Sequence, residues 1–469
     1  MNQAAVDPGS AGSGTGGRGA EVGPAAGVAM AGSLIAVLFS IGLAGGAAAQ
    51  EVRDLTVEES VRLGLEHNAG LRAAEADAAA AEAVYEQARA GRLPAMRSQA
   101  SYTRLSDNIP AVEFMLPGLD STFTVQAVEL DRVHAEVSVE VPLLTQLRLR
   151  HESRAAEHGM SAAELLAEQE RADVAFAIRR AYWTLYRATA VRAMTDAAIE
   201  RVETHLGEVR SRLAEGAALN RDLLSAQTRR SEVLLERVEA ENAVRVARLE
   251  LNRLIGLPLD APVRATSEVE VAAPEPAPTI PTPAVVGERP EIGALREQVG
   301  GLREEWRAAR ATRYPDLDFL GRWVYARPNP YFFADQDAFR STWELMLSAR
   351  WSIWEGGRVR ARAREARSRL EAAEARRAET RERVAVDVAR LRLEVERATE
   401  AMGVAAENVR EAEESYRVVR QQFAEGVALS SDVLDAEEAL RRANARRAEA
   451  LADYAIARAA VLNALGRTW

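Results

Sequence analysis

The chain contains no cysteine and no lysine. The absence of cysteine excludes disulfide bonds, thiolate metal sites, a cysteine nucleophile and lipid attachment to an N-terminal cysteine. Because lysine is missing, all 60 basic side chains are arginine, and 70 acidic side chains outnumber them. The arginines are interleaved with acids and form no separate basic tract, so the sequence predicts no nucleic-acid partner.

Aromatic residues are also scarce, at 5% of the chain, whereas alanine is abundant. A composition rich in alanine, arginine, glutamate and leucine is typical of long helices whose axes approach closely. The sequence shows no nucleophile–base set, phosphate-binding loop or pair of catalytic carboxylates, and its histidines lack ligand spacing. We therefore expect a mainly α-helical protein that is not an enzyme and binds no cofactor or metal.

The first 49 residues predict a leader. Residues 1–29 are rich in glycine, alanine and serine, and an apolar run over 34–43 is too short to span a bilayer comfortably. Three alanines at 47–49 form a small-residue cleavage site. The sequence thus predicts export, with the start at Met1 or Met30. No later segment resembles a transmembrane helix, so any membrane insertion must use strands.

An internal duplication organises the remaining chain. Ala-Glu-Gly-Ala-Ala-Leu at 214–219 returns as Ala-Glu-Gly-Val-Ala-Leu at 424–429, an offset of 210 residues. The two repeats are predicted to cover 50–257 and 288–469. A proline-rich linker over 258–287 joins them.

Both repeats contain the same order of predicted elements. Apolar periodicity and capping signals predict helices over about 56–91, 146–213, 220–255, 291–311, 358–423 and 431–465. Alternating apolar and polar residues predict strands over about 95–105, 131–142, 316–326 and 342–353. Turn signals predict a loop over 105–121. Each long helix is about 100 Å, so two shorter helices placed end to end match one long one.

Each of the four predicted strands has about the length that a tilted strand needs to cross a bilayer. A membrane-spanning sheet must close without a free edge, and the smallest bacterial barrels have eight strands. Four strands are too few for one chain to close alone. Strands that cross a membrane therefore require an oligomer.

Most strand aromatics belong to the second repeat: Trp323, Tyr325, Trp343, Trp351 and Trp354. Aromatic residues form girdles where membrane-spanning strands meet the interface. A packed sheet outside a membrane is the alternative. Because so few strands offer nothing else to bury a sheet face, we predict a membrane girdle.

The order of elements resembles that of the TolC-like outer-membrane efflux proteins over about residues 52–467. The resemblance rests on an ordered set of motifs in both halves. The motifs at the strand–helix junctions contain Pro94, Pro142, Pro315, Gly356 and Gly357, and the motifs at the helix tips surround Gly216 and Gly426.

This resemblance implies a mainly α fold with a membrane β-barrel. Three chains would form one twelve-stranded outer-membrane barrel, continued by a long periplasmic α-helical tunnel. The implied function is a passive exit duct of a tripartite efflux or type I secretion system. Its implied partners are a periplasmic adaptor, an inner-membrane pump of the RND, ABC or MFS type, and outer-membrane lipid. An exported coiled-coil scaffold or an adaptor without a pore remains the alternative.

The two tips lie between a long helix and its returning helix. A glycine in the left-handed region ends a helix, which by itself explains both tip glycines. The resemblance implies that the tips contact the adaptor. The tip segments are Gly216, Ala217, Ala218 and Leu219 in the first repeat and Gly426, Val427, Ala428 and Leu429 in the second. Both leucines would be exposed apolar residues unless a partner covers them.

A periplasmic gate is implied beside the tips, formed by Asp432, Asp435, Asp222 and Phe423. Asp432 and Asp435 lie three residues apart, hence on one helix face. Three-fold symmetry would gather six carboxylates and favour cations. Acids that stabilise a helix N-terminus are the alternative, and they explain Asp432 equally well. Phe423 and Ala428 replace the tyrosine and arginine of the family's usual polar lock.

Overall fold

A computed structural model describes residues 52–108, 112–115, 122–125, 129–267, 289–332 and 338–466. The predicted leader and most of the predicted linker lie outside the described residues. All described elements belong to the unit that spans residues 50–469. No described helix is both long enough and apolar enough to cross a membrane.

Helices dominate the described residues, which confirms the predicted mainly α composition. The helices are α1 (Val57–His67), α2 (Ala69–Ala90), α3 (Gln146–Ala214), α4 (Asn220–Ile255), α5 (Pro290–Ala311), α6 (Arg358–Ala424) and α7 (Ser430–Ala464). With 69 and 67 residues, α3 and α6 are each about 100 Å long. The bounds of α3 to α7 agree with the predicted helices to within one residue.

The single helix predicted over 56–91 is wrong, because the chain breaks at Asn68 into α1 and α2. The Asn68 side chain accepts hydrogen bonds from the backbone N–H groups of Gly70 and Leu71, at 2.8 and 3.2 Å. An asparagine that satisfies these donors forms an N-cap and competes with helix continuation. The predicted capping box of Thr56 and Glu59 is present at the start of α1.

Shorter helices pack along the long ones in sequence order. The α2 helix follows the first part of α3, and α4 follows its second part, where Arg237 pairs with Asp196 at 2.9 Å. Likewise α5 and α7 follow successive parts of α6. This stacking is the one that the helix lengths predict. The two repeats also contact each other, since α3 packs against both α5 and α7.

Four long strands form one antiparallel sheet in the order β2-β5-β7-β8. They are β2 (Ala95–Arg104), β5 (Asp131–Pro142), β7 (Asp316–Arg327) and β8 (Arg340–Arg350). The hairpins of the two repeats join through β5 and β7, where Val137 lies opposite Trp323. The fourth strand ends three residues before the predicted limit, because Arg350 pairs with Asp316, the first residue of β7, and Pro315 before it has no backbone N–H to continue the ladder. The Trp351 indole N–H bonds the Arg313 carbonyl at this point.

Short strands were missed by the sequence analysis. Strand β1 (Arg53–Leu55) pairs in parallel with β6 (Val263–Ala265), at the start of the predicted linker. Inside the predicted loop over 105–121, β3 (Val112–Met115) begins a hairpin that β4 (Thr122–Val125) completes. In β3 and β4, valine, phenylalanine and threonine are strand formers that outweigh the neighbouring turn signals.

The main hydrophobic core lies where β1 and β6 meet α3. Tyr182 is fully buried there, and its hydroxyl donates to the Leu55 carbonyl at 3.0 Å. The same hydroxyl accepts the Ser267 backbone N–H at 2.8 Å. Packing is close, since a Cβ added at Gly64 would collide with the Ile178 side chain. This core anchors α1 and the start of the linker to the middle of the longest helix.

Candidate functional site

The four-stranded sheet has one apolar and one polar face. Residues paired across neighbouring strands point to the same side of a sheet, so the register assigns each side chain to a face. The apolar face includes Met96, Tyr102, Val137, Val139, Phe319, Trp323, Tyr325, Trp343, Leu345 and Leu347. No part of the chain that the structure describes covers it: Leu345 is 64% exposed and Met96 is 74% exposed. Such a large open apolar face requires a covering environment.

The opposite face is polar and held together by ion pairs. Arg322 in β7 lies 3.4 Å from Glu136 on one side and 3.2 Å from Glu344 on the other. Arg97 and Glu140 form another pair across β2 and β5. This face is suited to contact water.

Aromatic residues occupy both ends of the strands. Away from the helices, Trp323 lies opposite Trp343, and its ring stacks on Tyr325 with 6.0 Å between centroids. At the helix end, Trp351 and Trp354 follow β8 and are 58% and 86% exposed. Eight residues separate Trp343 from Trp351, which corresponds to about 26 Å of extended strand. Trp351 lies beyond the strand in which it was predicted, and Trp354 lies further along the chain, at the junction.

The remaining predicted junction residues lie where strands meet helices. Pro94 directly precedes β2, Pro142 is the last residue of β5, and Pro315 directly precedes β7. Between β8 and α6, Gly356 and Gly357 both have positive φ angles, 60° and 87°. Their roles as junction residues stay predictions.

Both helix tips end in the same backbone motif. Gly216 and Gly426 have φ angles of 74° and 80°, in the left-handed region that an L side chain rarely adopts. At the second tip, the Val427 N–H bonds the Gln422 carbonyl at 2.8 Å, and the Gly426 N–H bonds Phe423 at 3.0 Å. These two bonds define a Schellman motif. The tip residues Val427 and Leu429 are 76% and 58% exposed.

The acids next to each tip begin the returning helices. The Asp222 carboxylate accepts the Leu219 backbone N–H at 3.1 Å, and the Asp432 carboxylate accepts that of Leu429 at 2.9 Å. Each aspartate thus satisfies a backbone donor at a helix N-terminus, as the alternative interpretation predicts. Asp435 is exposed one turn further along α7.

Phe423 lies between the two tips of the chain. It is 6% exposed and packs with Val209 of α3 and Val433 of α7. The Arg212 guanidinium lies 4.4 Å from the Phe423 ring centroid and donates to the Ala424 carbonyl at 2.7 Å. In this conformation Phe423 joins the first hairpin to the second. We call Arg212, Phe423 and the contacts around them the tip clasp.

Polar contacts complete the tip clasp. His205 is buried, lies 5.0 Å from the Phe423 ring and shares a 2.8 Å hydrogen bond with the Ser430 hydroxyl. Burial lowers the pKa of His205, so the neutral imidazole is favoured. Arg420 of α6 pairs with Glu208 of α3 at 3.1 Å. Sequence analysis missed these residues because each partner lies about 210 positions away.

A buried charge network follows the tip clasp along the helices. The Glu437 carboxylate is 2% exposed and lies 3.3 Å from Arg201 and 3.6 Å from Arg229. Burial raises the pKa of Glu437. Arg229 also pairs with Glu438, which Arg441 contacts at 2.8 Å. The network connects α3, α4 and α7, and it fixes the second hairpin against the first.

Two histidine–glutamate pairs connect α3 with α5. His151 lies 2.6 Å from Glu304, and His158 lies 2.8 Å from Glu297. Within the described ranges, no three His, Asp or Glu side chains come together in a way that would hold a metal ion. The pairs serve helix packing.

Comparison with solved structures gives the fold. The Campylobacter jejuni CmeC outer membrane channel is similar with a TM-score of 0.76 at 17% identity, covering 87% of this chain and 85% of that chain. The outer membrane protein VceC from Vibrio cholerae has a TM-score of 0.72 at 19% identity, covering 88% and 96%. The Neisseria gonorrhoeae MtrE outer membrane channel has the same TM-score and identity, covering 88% and 89%.

A search of curated proteins finds no match. The model of the outer membrane efflux protein family matches residues 61–257 and 284–467. The two matched segments correspond to the two repeats, and together they cover most of the chain. The resemblance drawn from the sequence is thereby confirmed. The chain belongs to the outer membrane efflux protein family, and it is an outer-membrane exit duct of an efflux system rather than an enzyme.

Proposed function

We propose that three copies of this chain close into one twelve-stranded outer-membrane barrel, continued by a periplasmic tunnel of helices. The family implies a trimer that works with adaptor and inner-membrane pump proteins. The observation that carries the proposal is the four-stranded sheet with its two unlike faces. Among the described strands, β2 and β8 each pair on one side only. Such edges must be satisfied within a bilayer.

The faces of the sheet determine which side meets lipid. The apolar face with Leu345 and Leu347 points outward, and the polar face with Arg322 lines the duct. The two aromatic levels lie about 26 Å apart along the strand. At the usual strand tilt of about 40° this corresponds to a height of about 20 Å, comparable to the apolar band of about 25 Å between aromatic girdles. The predicted girdle therefore becomes two belts: Trp323, Tyr325 and Trp343 toward the outside, and Trp351 and Trp354 toward the periplasm.

The hairpin tips face the adaptor in this proposal. Val427 and Leu429 project from the second tip, and Leu219 projects from the first with 57% exposure. An apolar adaptor surface would bury these side chains. The energy for transport comes from an inner-membrane pump of the RND, ABC or MFS type, in an efflux or a type I secretion system.

The mouth of the tunnel carries the proposed gate. Asp432 and Asp435 supply six carboxylates around a three-fold axis, and Asp222 adds three on the first-repeat tips. The position equivalent to Asp435 in the first repeat is Ser225, so the second repeat contributes more charge. Phe423 stands behind this ring, holding the second tip against the first. A ring of this kind favours cations over anions.

Disulfide cross-linking tests the assembly directly, because the chain has no cysteine of its own. We place one cysteine in β2, Ser98→Cys, and combine it in turn with Leu345→Cys, Leu347→Cys and Ala349→Cys in β8. All four positions share the apolar face. Oxidation should produce a covalent trimer for at least one pair, since neighbouring side chains on one face lie within disulfide reach.

The matched control is Gln99→Cys combined with Leu347→Cys, whose side chains point to opposite faces and should not bond. Monomers alone for all three test pairs would refute β2–β8 closure. A ladder longer than the trimer would show an open assembly and refute it as well. Conductance of the wild type in planar bilayers is the accompanying functional measurement.

A further inference from the structure

Charge is distributed unevenly along the helices of this acidic chain. The four windows of twelve residues next to the long strands, 83–94, 143–154, 304–315 and 351–362, contain eleven arginines and five acids. The matching windows on either side of the two tip glycines contain five arginines and nine acids. Exposure to water explains why these helix surfaces carry charged side chains. It does not explain why one end is basic and the other acidic.

Ion pairing does not neutralise the basic end. Arg148 and Arg358 pair with nearby glutamates at 2.8 and 2.7 Å, and Arg307 pairs with Glu304. Seven further arginines are exposed and form no ion pair with a described carboxylate: Arg89 near the end of α2 and six others next to β5, β7 and β8. These six, which we call the arginine collar, are Arg150, Arg154, Arg310, Arg313, Arg360 and Arg362.

The arginine collar lies at one level of the molecule. Pro142 pairs with Asp318 and Asp316 pairs with Arg350, so β5, β7 and β8 meet their helices at the same end of the sheet. Every collar residue lies within about three helical turns of that end. The exposed Trp351 and Trp354 mark the same junction. Arginines therefore follow the periplasmic aromatic belt directly, at the depth where lipid headgroups lie.

A cleft of about 200 Å³ is present in this region. It is lined by Arg307, Arg310 and Arg313 of one helix end, together with Tyr314. Arg310 is oriented by the Trp306 ring, 4.9 Å from its guanidinium. Planar guanidinium groups match the geometry of phosphate oxygens, and several of them around one cleft fit a phosphodiester.

We propose that the arginine collar binds the headgroups of anionic phospholipids, of the phosphatidylglycerol type, in the periplasmic leaflet of the outer membrane. This inference rests on the proposed membrane insertion of the sheet. Basic residues just outside a membrane interface are attracted to anionic lipid surfaces. The collar thereby sets the depth of the duct in the membrane and gives it a preference among lipids.

The test uses the purified full-length trimer in neutral detergent, with phosphatidylglycerol or phosphatidylcholine added as mixed micelles. Native mass spectrometry counts the lipids that each trimer retains. The test variant is R310Q/R313Q/R360Q/R362Q. The control removes four exposed arginines elsewhere, R245Q/R390Q/R446Q/R447Q.

The wild type and the control should prefer phosphatidylglycerol, whereas the collar variant should bind it about tenfold more weakly. Equal retention of both lipids by the wild type, or unchanged retention by the collar variant, would overturn the proposal. Glycerol phosphate and inorganic phosphate form a further arm. If either displaces the lipid at equal concentration, the collar is a general anion site and the lipid proposal fails.

Two measurements separate this proposal from the proposed function. If the collar variant loses its trimer in phosphatidylcholine micelles, the arginines hold the copies together and the lipid proposal fails. If the wild type neither inserts nor conducts in planar bilayers, the proposed function itself fails. If the wild type conducts normally but shows no lipid preference, only the collar proposal fails.

Discussion

Replacing Phe423 with alanine should open the tip clasp while the rest of the helical bundle stays folded. The ring is 6% exposed, and it contacts the first hairpin through Val209 and through the Arg212 guanidinium at 4.4 Å. Alanine keeps the helix but removes both contacts. The helix tips are the ends of long elements, so they can open without global unfolding.

The magnitude follows from burial. A buried phenylalanine replaced by alanine costs about 3 to 5 kcal/mol, and the lost cation–π contact adds about 0.5 to 1 kcal/mol. Because a tip relaxes more easily than a core, we take the low end, about 3 kcal/mol. That is a change of about two orders of magnitude in the equilibrium between closed and open tips.

Hydrogen exchange measured by mass spectrometry reports this equilibrium in the intact protein. Amides over 204–215 and 416–425 should exchange about 100-fold faster in Phe423→Ala, whereas amides around Tyr182 should not change. Val427→Ala is the matched control, since that side chain is 76% exposed at the same tip. Unaltered exchange at both tips of Phe423→Ala would show that the tip clasp does not depend on this ring.

Three further outcomes are expected. Burial lowers the pKa of His205 in the folded state. Below about pH 6.5 the unfolded state therefore binds more protons than the folded state, so the free energy of unfolding decreases as the pH falls. The thermal midpoint should therefore drop less on acidification in His205→Gln than in the wild type, and equal slopes would contradict the assignment. Gly426→Leu forces a leucine into the left-handed region, at a cost of roughly 1–2 kcal/mol. This variant should abolish transport in complementation assays but leave trimers intact. The control, Gly207→Leu at an exposed helical position, should transport normally. Asp435→Asn should lower the cation selectivity of single channels. Asp432→Asn should lower both the cation selectivity and the stability of the tip, because it also removes a helix cap. Unchanged selectivity in both variants would refute the carboxylate ring.

The helices and long strands followed from local patterns in the sequence. Apolar spacing, glycine at the tips and proline at the junctions act over a few residues, so α3 to α7 were predicted to within one residue. The break at Asn68 escaped prediction because an asparagine inside an apolar period is compatible with both a continuous helix and an N-cap. Trp351 was assigned to a strand because the alternation continues past Arg350, the last residue of β8 that pairs with β7.

The candidate site was predicted unevenly. The tip glycines, Asp222 and Asp432 belong to the duplicated string, whereas Asp435 as a gate residue was implied by the family resemblance. The φ angles of both glycines and the caps formed by Asp222 and Asp432 agree with helix ends. The tip clasp was not found. Arg212 and Phe423 are 211 positions apart, and no local signal states that a cationic side chain of one hairpin will cover a ring of the other.

The sequence by itself determined the duplication, the order of the long helices and of the four long strands, and the family, because each depends on periodicity and on short motifs. Only the tertiary structure decided which strands join the two repeats, which sheet face stays apolar and open, and how the two tips hold each other. These features depend on register between strands and on packing between distant helices. A one-residue shift between β5 and β7 would place the apolar residues of one hairpin on the polar side of the other. No hairpin turn joins these two strands, so no local turn geometry sets their register.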